Sequence, residues 1–397
     1  MRISNIRRVA SRGAVRVVAD VFWEDTARPP REIWFEVGED RADGFAPAGE
    51  AFLPVCLPLA LRQGERRIRV EGRVCPGLRD GAGAAARLLG SWYGAKHEEI
   101  AIEAEDGFSA EPREGEGIAA SFLTGGVDST FTLLANHRAF EEGHPQRIRE
   151  AILVSGLFAS EADSPDLAAE FDGRVRRSAS AVAASAGIPL TIVRTNAREL
   201  EPGFDFFARE LHGALLASVA HLLAGRISSA RIAATTTIRH LVPSGTHPLL
   251  DPLWSSSRVE IAHDGFGLTR VEKTAALASW PETLENLMVC QAGPVPDGYF
   301  NCGRCEKCVR TLLCFLAAGA LDRARSFRRR EVSPRIVLRG RFDSEVANQW
   351  RPLRRAFCRR GLRALSAAIA LKLIRSRLDP PRRVESPETY GARTNRP

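Results

Sequence analysis

The 397-residue chain lacks any unbroken apolar run that could cross a bilayer. Its most apolar late stretch, Leu362 to Ile374, is interrupted by Arg363 and Lys372 and falls short of the ~20 apolar residues a spanning helix needs. Met1-Arg2-Ile3-Ser4-Asn5-Ile6-Arg7-Arg8 carries positive charge with no apolar segment behind it, unlike a secretory leader. A cytoplasmic location is expected. No internal repeat is visible, so the chain is not read as a repeat array. Acidic charge is also short: 48 Asp and Glu stand against 56 Lys and Arg, a net +8, and none lies between Val346 and Leu378. That surplus suits anionic partners, or a surface solubilised by arginine. Cysteine is sparse at eight residues, and four of these fall between positions 290 and 308. Such clustering excludes a disulfide framework and favours metal ligands.

A hydrophobic share of 44% is enough for a substantial core. Residues 1–115 alternate as half-buried strands do: Ile68, Val70 and Val74 take one face, and Arg67, Arg69, Glu71 and Arg73 the other. Ala14 to Trp23 and Glu32 to Val37 read the same way, so a β-rich amino-terminal domain is expected. Residues 116–320 change grammar. Short apolar strands, as in Ile152 to Val154, Ile188 to Val193 and Ile232 to Thr235, are separated by helical stretches at Ser129 to Glu142, Leu167 to Ala186 and Phe206 to Ala224. This predicts an α/β fold with a doubly wound parallel sheet, whose ligand site lies at the carboxyl ends of the strands. Residues 321–397 are Arg-rich. Arg351, Arg354, Arg355, Arg359, Arg360 and Arg363 accompany Leu353, Phe357, Leu362 and Leu365 at helical spacing. A basic amphipathic helix is expected, packed on its own domain or facing nucleic acid or a membrane surface. The end, from Asp379 to Pro397, reads as disordered.

The chemistry concentrates in two places. Ile118 to Leu123 reads as a buried strand and Ser129 to Leu134 as a helix start, with Thr124-Gly125-Gly126-Val127-Asp128 between them. Two glycines there let backbone N–H groups approach an anion, and the helix start adds a positive dipole end. Thr124, Ser129 and Thr130 offer hydroxyl donors, and Asp128 can hold magnesium. No lysine follows the glycines, so this is not the Gly-x-x-x-x-Gly-Lys-Ser/Thr loop. The string resembles the Ser-Gly-Gly-x-Asp-Ser loop of the PP-loop ATP pyrophosphatases, of the adenine nucleotide alpha hydrolase kind, with Thr124 in place of the first serine. That resemblance implies ATP and Mg²⁺ as cofactors, pyrophosphate on Gly125 to Ser129, and adenine near Val154-Ser155-Gly156.

The second place is Cys290 with Cys302-Gly303-Arg304-Cys305-Glu306-Lys307-Cys308. Four thiolates suit a tetrahedral Zn²⁺ shell; an iron–sulfur cluster is the rival, though Leu312 and Leu313 replace the next ligand and proline of bacterial ferredoxins. The cysteines, with Arg310 and Leu268-Thr269-Arg270-Val271-Glu272 ahead of them, resemble the 7-cyano-7-deazaguanine synthases over the middle half of the chain. The likeness implies an ATP-dependent ligase that adenylates a small carboxylate, with Asp128 and Ser129 as catalytic residues. A tRNA sulfur transferase and a non-catalytic nucleotide- or nucleic-acid-binding protein are the alternatives. His247 to Ser256 is read as either a substrate loop or a structural one, His212 as a packed histidine, and Cys56, Cys75 and Cys314 as core. Cys358, between Phe357 and Arg359, is the one remaining thiol in a setting fit for reaction.

Overall fold

A computed structural model describes residues 1–94, 99–110, 115–157, 165–292, 294–339 and 344–378; the tail read as disordered lies outside them. The chain opens with an antiparallel meander, β1 (Arg2–Ser11), β2 (Ala14–Phe22) and β3 (Arg31–Gly38). Two helices follow that the strand pattern did not announce. α1 (Gly49–Gln63) contains Pro54 and Pro58, which ordinarily disfavour a helix. Residues 51–60 are all buried nonetheless, so packing overrides propensity. β4 (Arg67–Val70) then leads to α2 (Pro76–Tyr93) and β5 (Ala101–Ala104).

From β6 (Ile118–Phe122) the expected alternation sets in: α3 (Val127–Ala139), β7 (Ile148–Ser155), α4 (Pro165–Ser185) and β8 (Leu190–Thr195). A helical run follows, α5 (Phe204–Phe206), a π turn over Phe207–Leu211, and α6 (His212–Leu222). β9 (Ile227–Ala233) and β10 (Glu260–Asp264) complete the described strands.

All ten described strands form one sheet in the order β10-β9-β6-β7-β8-β3-β2-β1-β4-β5. Six of the nine strand pairings are parallel, so the fold is α/β around a mostly parallel sheet. Numbered 1 to 5 in chain order from β6, the parallel half β8-β7-β6-β9-β10 reads 3-2-1-4-5, the kind of order that puts a ligand crevice beside the first strand. The sheet crosses residue 115 without a break, because β3 pairs antiparallel with β8. Alternation along β7 divides the two faces. Ile152 and Val154 join the core under α1 and α6, while Ala151 and Leu153 join the one under α4.

The remaining described helices are α7 (Arg270–Leu277), α8 (Pro281–Asn286), α9 (Glu306–Ala318), α10 (Pro334–Leu338), α11 (Ser344–Arg359) and α12 (Arg363–Leu378). The basic segment is therefore two helices rather than the single one expected. Gly361, at φ 71°, ends α11: Gly361 N–H donates to Cys358 O and Leu362 N–H to Phe357 O, at 3.2 and 3.0 Å. This is a Schellman cap. Trp350, Leu353, Phe357, Leu365 and Ile369 pack on Val309 and Leu313 of α9, all buried, so the segment shares a core with the cysteine helix. Among the described residues no helix is long and apolar enough to cross a membrane.

Candidate functional site

The loop between β6 and α3 lies where the sheet order predicts a crevice. Its two glycines have different reasons to be glycine. Gly125 sits at φ +72°, and a Cβ there would overlap Ser178 Oγ and lie 2.8 Å from Ser178 Cβ. The fold itself demands that glycine. Gly126 has φ −79° and ψ 168°, which any residue adopts, and a Cβ would meet Thr124 Oγ1 at 3.4 Å and Met288 O at 3.6 Å. The fold tolerates a side chain there. Gly126 stands at the N-cap of α3, whose first backbone N–H groups are of the kind that can meet an anion. Ser129 Oγ holds the loop by accepting from Thr124 N–H at 3.2 Å and lying 3.3 Å from Thr124 Oγ1. Thr130 is fully buried, and its Oγ1 has no hydrogen-bond partner among the described residues.

Asp128 projects from the first turn of α3 toward α7. Arg270 ion-pairs with its Oδ2, and Lys273 Nζ lies 3.4 Å from its Oδ1 while donating to Ala234 O at 2.6 Å. Both cations lie on one face because they are three residues apart on a helix. Thr269 fixes the start of that helix through a capping box with Glu272. Lys273 is 1% exposed, and burial pushes its ammonium below the usual lysine range against the opposing pull of Asp128.

The four cysteines converge as their spacing predicted. Cys290, Cys302, Cys305 and Cys308 bring their Sγ atoms within 4.8 Å of one another, with Cys290 to Cys305 and Cys302 to Cys308 each at 3.8 Å. A tetrahedral ion with metal–sulfur bonds of about 2.3 Å spaces its sulfurs about 3.8 Å apart. The cluster can thus hold a metal ion such as zinc. Cys302 Sγ accepts N–H bonds from Arg304 and Cys305 at 3.4 and 3.3 Å, the outer support a thiolate ligand needs. Cys302 is pushed down, foremost by the hydrogen bond from Cys290, and Cys308 is pushed up, foremost by burial. Ionised together, four thiolates in this volume would repel one another and need a cation to neutralise them. Gly303, at φ +74°, has no room for a Cβ against the backbone of Arg329.

Buried Asn301 ties the two places together. Its Oδ1 accepts from Val289 and Cys290 N–H at 2.8 and 3.0 Å, and its Nδ2 donates to Leu287 O at 2.7 Å. One residue from that clamp, Met288 N–H donates to Gly125 O at 3.0 Å. The cysteine segment is therefore stitched directly to the phosphate-type loop.

Val154, Ser155 and Gly156 line a cavity of about 770 Å³ at the carboxyl ends of β7 and β8. Ser155 Oγ bonds Asp172 at 2.8 Å and accepts from Arg176 at 2.8 Å. The far wall is Arg16, Trp34 and Glu36, from strands that gave no sign of belonging to a site. His247 to Ser256 is anchored from within, with Asp251 and Trp254 fully buried and Asp251 Oδ2 2.7 Å from His263 Nδ1, while Leu249 is exposed. His212 packs against Phe207, with ring centroids 5.0 Å apart. Cys56, Cys75 and Cys314 are buried and Cys358 is exposed. Lys273 and Asn301 were missed from sequence. Lys273 had a signal, the helical spacing from Arg270; Asn301 had none, because its partners are defined only by the folded turn. No protein-family model, no curated protein and no solved structure matches this chain.

Proposed function

We propose that this chain is an ATP-dependent ligase of the PP-loop type, splitting ATP to AMP and pyrophosphate while it adenylates a small carboxylate that a nitrogen nucleophile then attacks. The observation that carries the reading is Gly126, a glycine that the fold does not need and that an approaching phosphate does. Thr124, Ser129 and the N–H groups at the start of α3 would hold the departing pyrophosphate, and Arg270 and Lys273, which pair with Asp128, would orient it. Asp128 is the carboxylate that would hold magnesium, which would supply charge neutralisation for the phosphates. Zinc in the four-cysteine cluster would be structural, since protein thiolates fill its shell. The Ser155 and Gly156 end of the large cavity is the adenine position in this reading.

The test is product analysis by anion-exchange chromatography, with ATP, magnesium, ammonium and a panel of carboxylic acids. AMP and pyrophosphate are expected, lost in Asp128→Asn and retained in Cys358→Ser. ADP and phosphate as sole products would overturn the reading. Stimulation by tRNA with a sulfide donor, abolished by Cys358→Ser, would move the chain to sulfur transfer. Nucleotide binding without turnover on any acceptor would make it a sensor.

A further inference from the structure

Arginines at the two ends of the chain are treated differently. In the amino-terminal strands Arg7 meets Asp20 and Glu32, Arg16 meets Glu36, Arg66 meets Asp25 and Arg67 meets Glu24. On α11 no carboxylate answers. Arg351, Arg354, Arg355 and Arg359 are exposed, as is Arg363 at the start of α12, and among the described residues none of their side chains enters an ion pair or a hydrogen bond. Arg360 beside them is occupied, donating to Leu316 O and Ala317 O. Along the chain no acidic residue follows Glu345 until Asp379. Positive charge massed in this way repels itself unless an anion covers it.

The row has a regular geometry. Arg351, Arg355 and Arg359 stand four residues apart, so they share one face of α11 and rise about 6 Å at each step, about 12 Å in all. The opposite side of the helix is already used, since Trp350, Leu353 and Phe357 are buried in the core shared with α9. The row also reaches the turn after β9. His240 there has its pKa lowered by burial and then by Arg351 and Arg355, and exposed Arg239 precedes it.

We infer that α11 is a nucleic-acid-binding face, on which Arg351, Arg354, Arg355, Arg359 and Arg363 hold the phosphodiester backbone of a strand without reading its bases. A backbone offers anions in regular succession, and binding is driven by release of its counterions. Arginine suits it, because the planar fork meets two phosphate oxygens at once. A bilayer fits less well: a helix lying on lipid turns apolar side chains toward it, and α11 exposes no large apolar residue, the nearest being Leu371 and Ile374 on α12. A protein partner would want aromatic or aliphatic anchors at the centre of the face, and none is there. The face lies outside the stretch of family resemblance, and its binding of nucleic acid is independent of the ligase chemistry.

The experiment is fluorescence anisotropy of short labelled RNA and DNA strands of mixed sequence, titrated with the full chain between about 50 and 200 mM salt. The wild-type chain should bind, with the logarithm of the binding constant falling against that of salt at a slope of about −3.5, for five backbone contacts. The double variant Arg351→Gln/Arg355→Gln should flatten the slope by about 1.4 and weaken binding about tenfold near physiological salt. Arg12→Gln/Arg31→Gln, an equal loss of charge from the amino-terminal strands, should bind as wild type does. Bound strand should also slow alkylation of Cys358, the exposed thiol that lies within the row. A preference for RNA or for DNA would identify the source of the backbone, and either supports the face. No binding by the wild-type chain at low salt, equal affinity and slope in the two double variants, or unprotected Cys358 at saturating strand would overturn the inference. So would sedimentation with anionic vesicles by a chain that binds no strand, which would give the helix to a membrane surface. Formation of AMP and pyrophosphate is scored separately, so the ligase reading stands or falls on its own result.

Discussion

Substituting alanine at Gly125 and at Gly126 should separate what the loop needs in order to fold from what it needs in order to bind. At Gly125 an alanine must hold φ near +72° and also displace Ser178, which itself bonds Asn286 O at 2.5 Å and cannot swing away freely. The left-handed conformation costs about 1–2 kcal/mol. Overpacking adds about 1–3 kcal/mol. Gly125→Ala should therefore lose about 2–5 kcal/mol of stability, the sum of those two costs. At Gly126 the backbone is ordinary and the nearest atoms are at 3.4 and 3.6 Å. Alanine is a poorer helix cap than glycine, but it reduces the freedom of the unfolded chain by about 0.4–1 kcal/mol. Gly126→Ala should stay within about 1 kcal/mol of wild type.

Binding should rank the two the other way relative to stability. If the loop is the proposed phosphate site, a Cβ at Gly126 would crowd the N–H groups at the start of α3, and a well-folded Gly126→Ala protein should bind pyrophosphate at least about tenfold more weakly, a loss of about 1.4 kcal/mol. Urea unfolding followed by tryptophan fluorescence gives the first quantity, and calorimetric titration with pyrophosphate the second. Equal stabilities of the two variants would refute the packing argument. Wild-type affinity in Gly126→Ala would refute the loop as a phosphate site.

Two further outcomes follow from the cysteine segment and the helices on it. Metal analysis should find about one zinc per chain; Cys305→Ser should lose it and destabilise the segment, while Cys75→Ser should keep it, and a brown preparation with stoichiometric iron would contradict the zinc assignment. Trp350→Ala removes a side chain 1% exposed, together with its bond to Glu306, and should cost about 3–5 kcal/mol in denaturant unfolding. A change below about 0.5 kcal/mol would show that α11 is peripheral to the core.

The sequence revealed most where the determinants are local. Alternation in Ala14 to Trp23 and Arg67 to Val74 marked strands, apolar runs marked β7 and β8, and the loop and cysteines were legible as short motifs. What it hid depends on partners far along the chain. β3 reaches β8 across a long stretch of sequence, as in Phe35 opposite Thr195, and no local pattern encodes that pairing. α2 carries glycines that weaken a helix reading, yet a Cβ at Gly81 would collide with the Leu253 backbone, so close approach explains the residue. β9 runs from Ile227 to Ala233, mostly ahead of the Ile232 to Thr235 stretch expected, because Ser228, Ser229 and Arg231 break its apolar signal. Within the site, Asp128 was readable but its clamp was not. Arg270 and Lys273 meet it only after the intervening chain, 142 and 145 positions of it, has folded.

The same long-range pairing bears on substrate choice. Register places Arg16 of β2 opposite Glu36 of β3, Glu36 opposite Arg194 of β8, and Arg194 opposite Ser155 of β7. One charged row therefore runs from the amino-terminal strands to the residue beside which the proposed adenine would lie. Glu36, 3% exposed, takes Arg16 at 2.8 Å and Arg194 on its other oxygen, and the Arg16 guanidinium lies 4.0 Å over the Trp34 ring. A carboxylate this buried is held in place by its two arginines, and removing both would leave its charge unpaired. The family resemblance stops short of these strands, yet they supply a wall of the cavity beside the site. In the proposed reading, an acceptor lying in the same cavity as the adenine would meet a wall built by residues outside the PP-loop segment. If the proposed ligase reading holds, selectivity measured across the carboxylic acid panel should change in Trp34→Ala, while formation of AMP and pyrophosphate, assigned in that reading to the loop after β6, should continue.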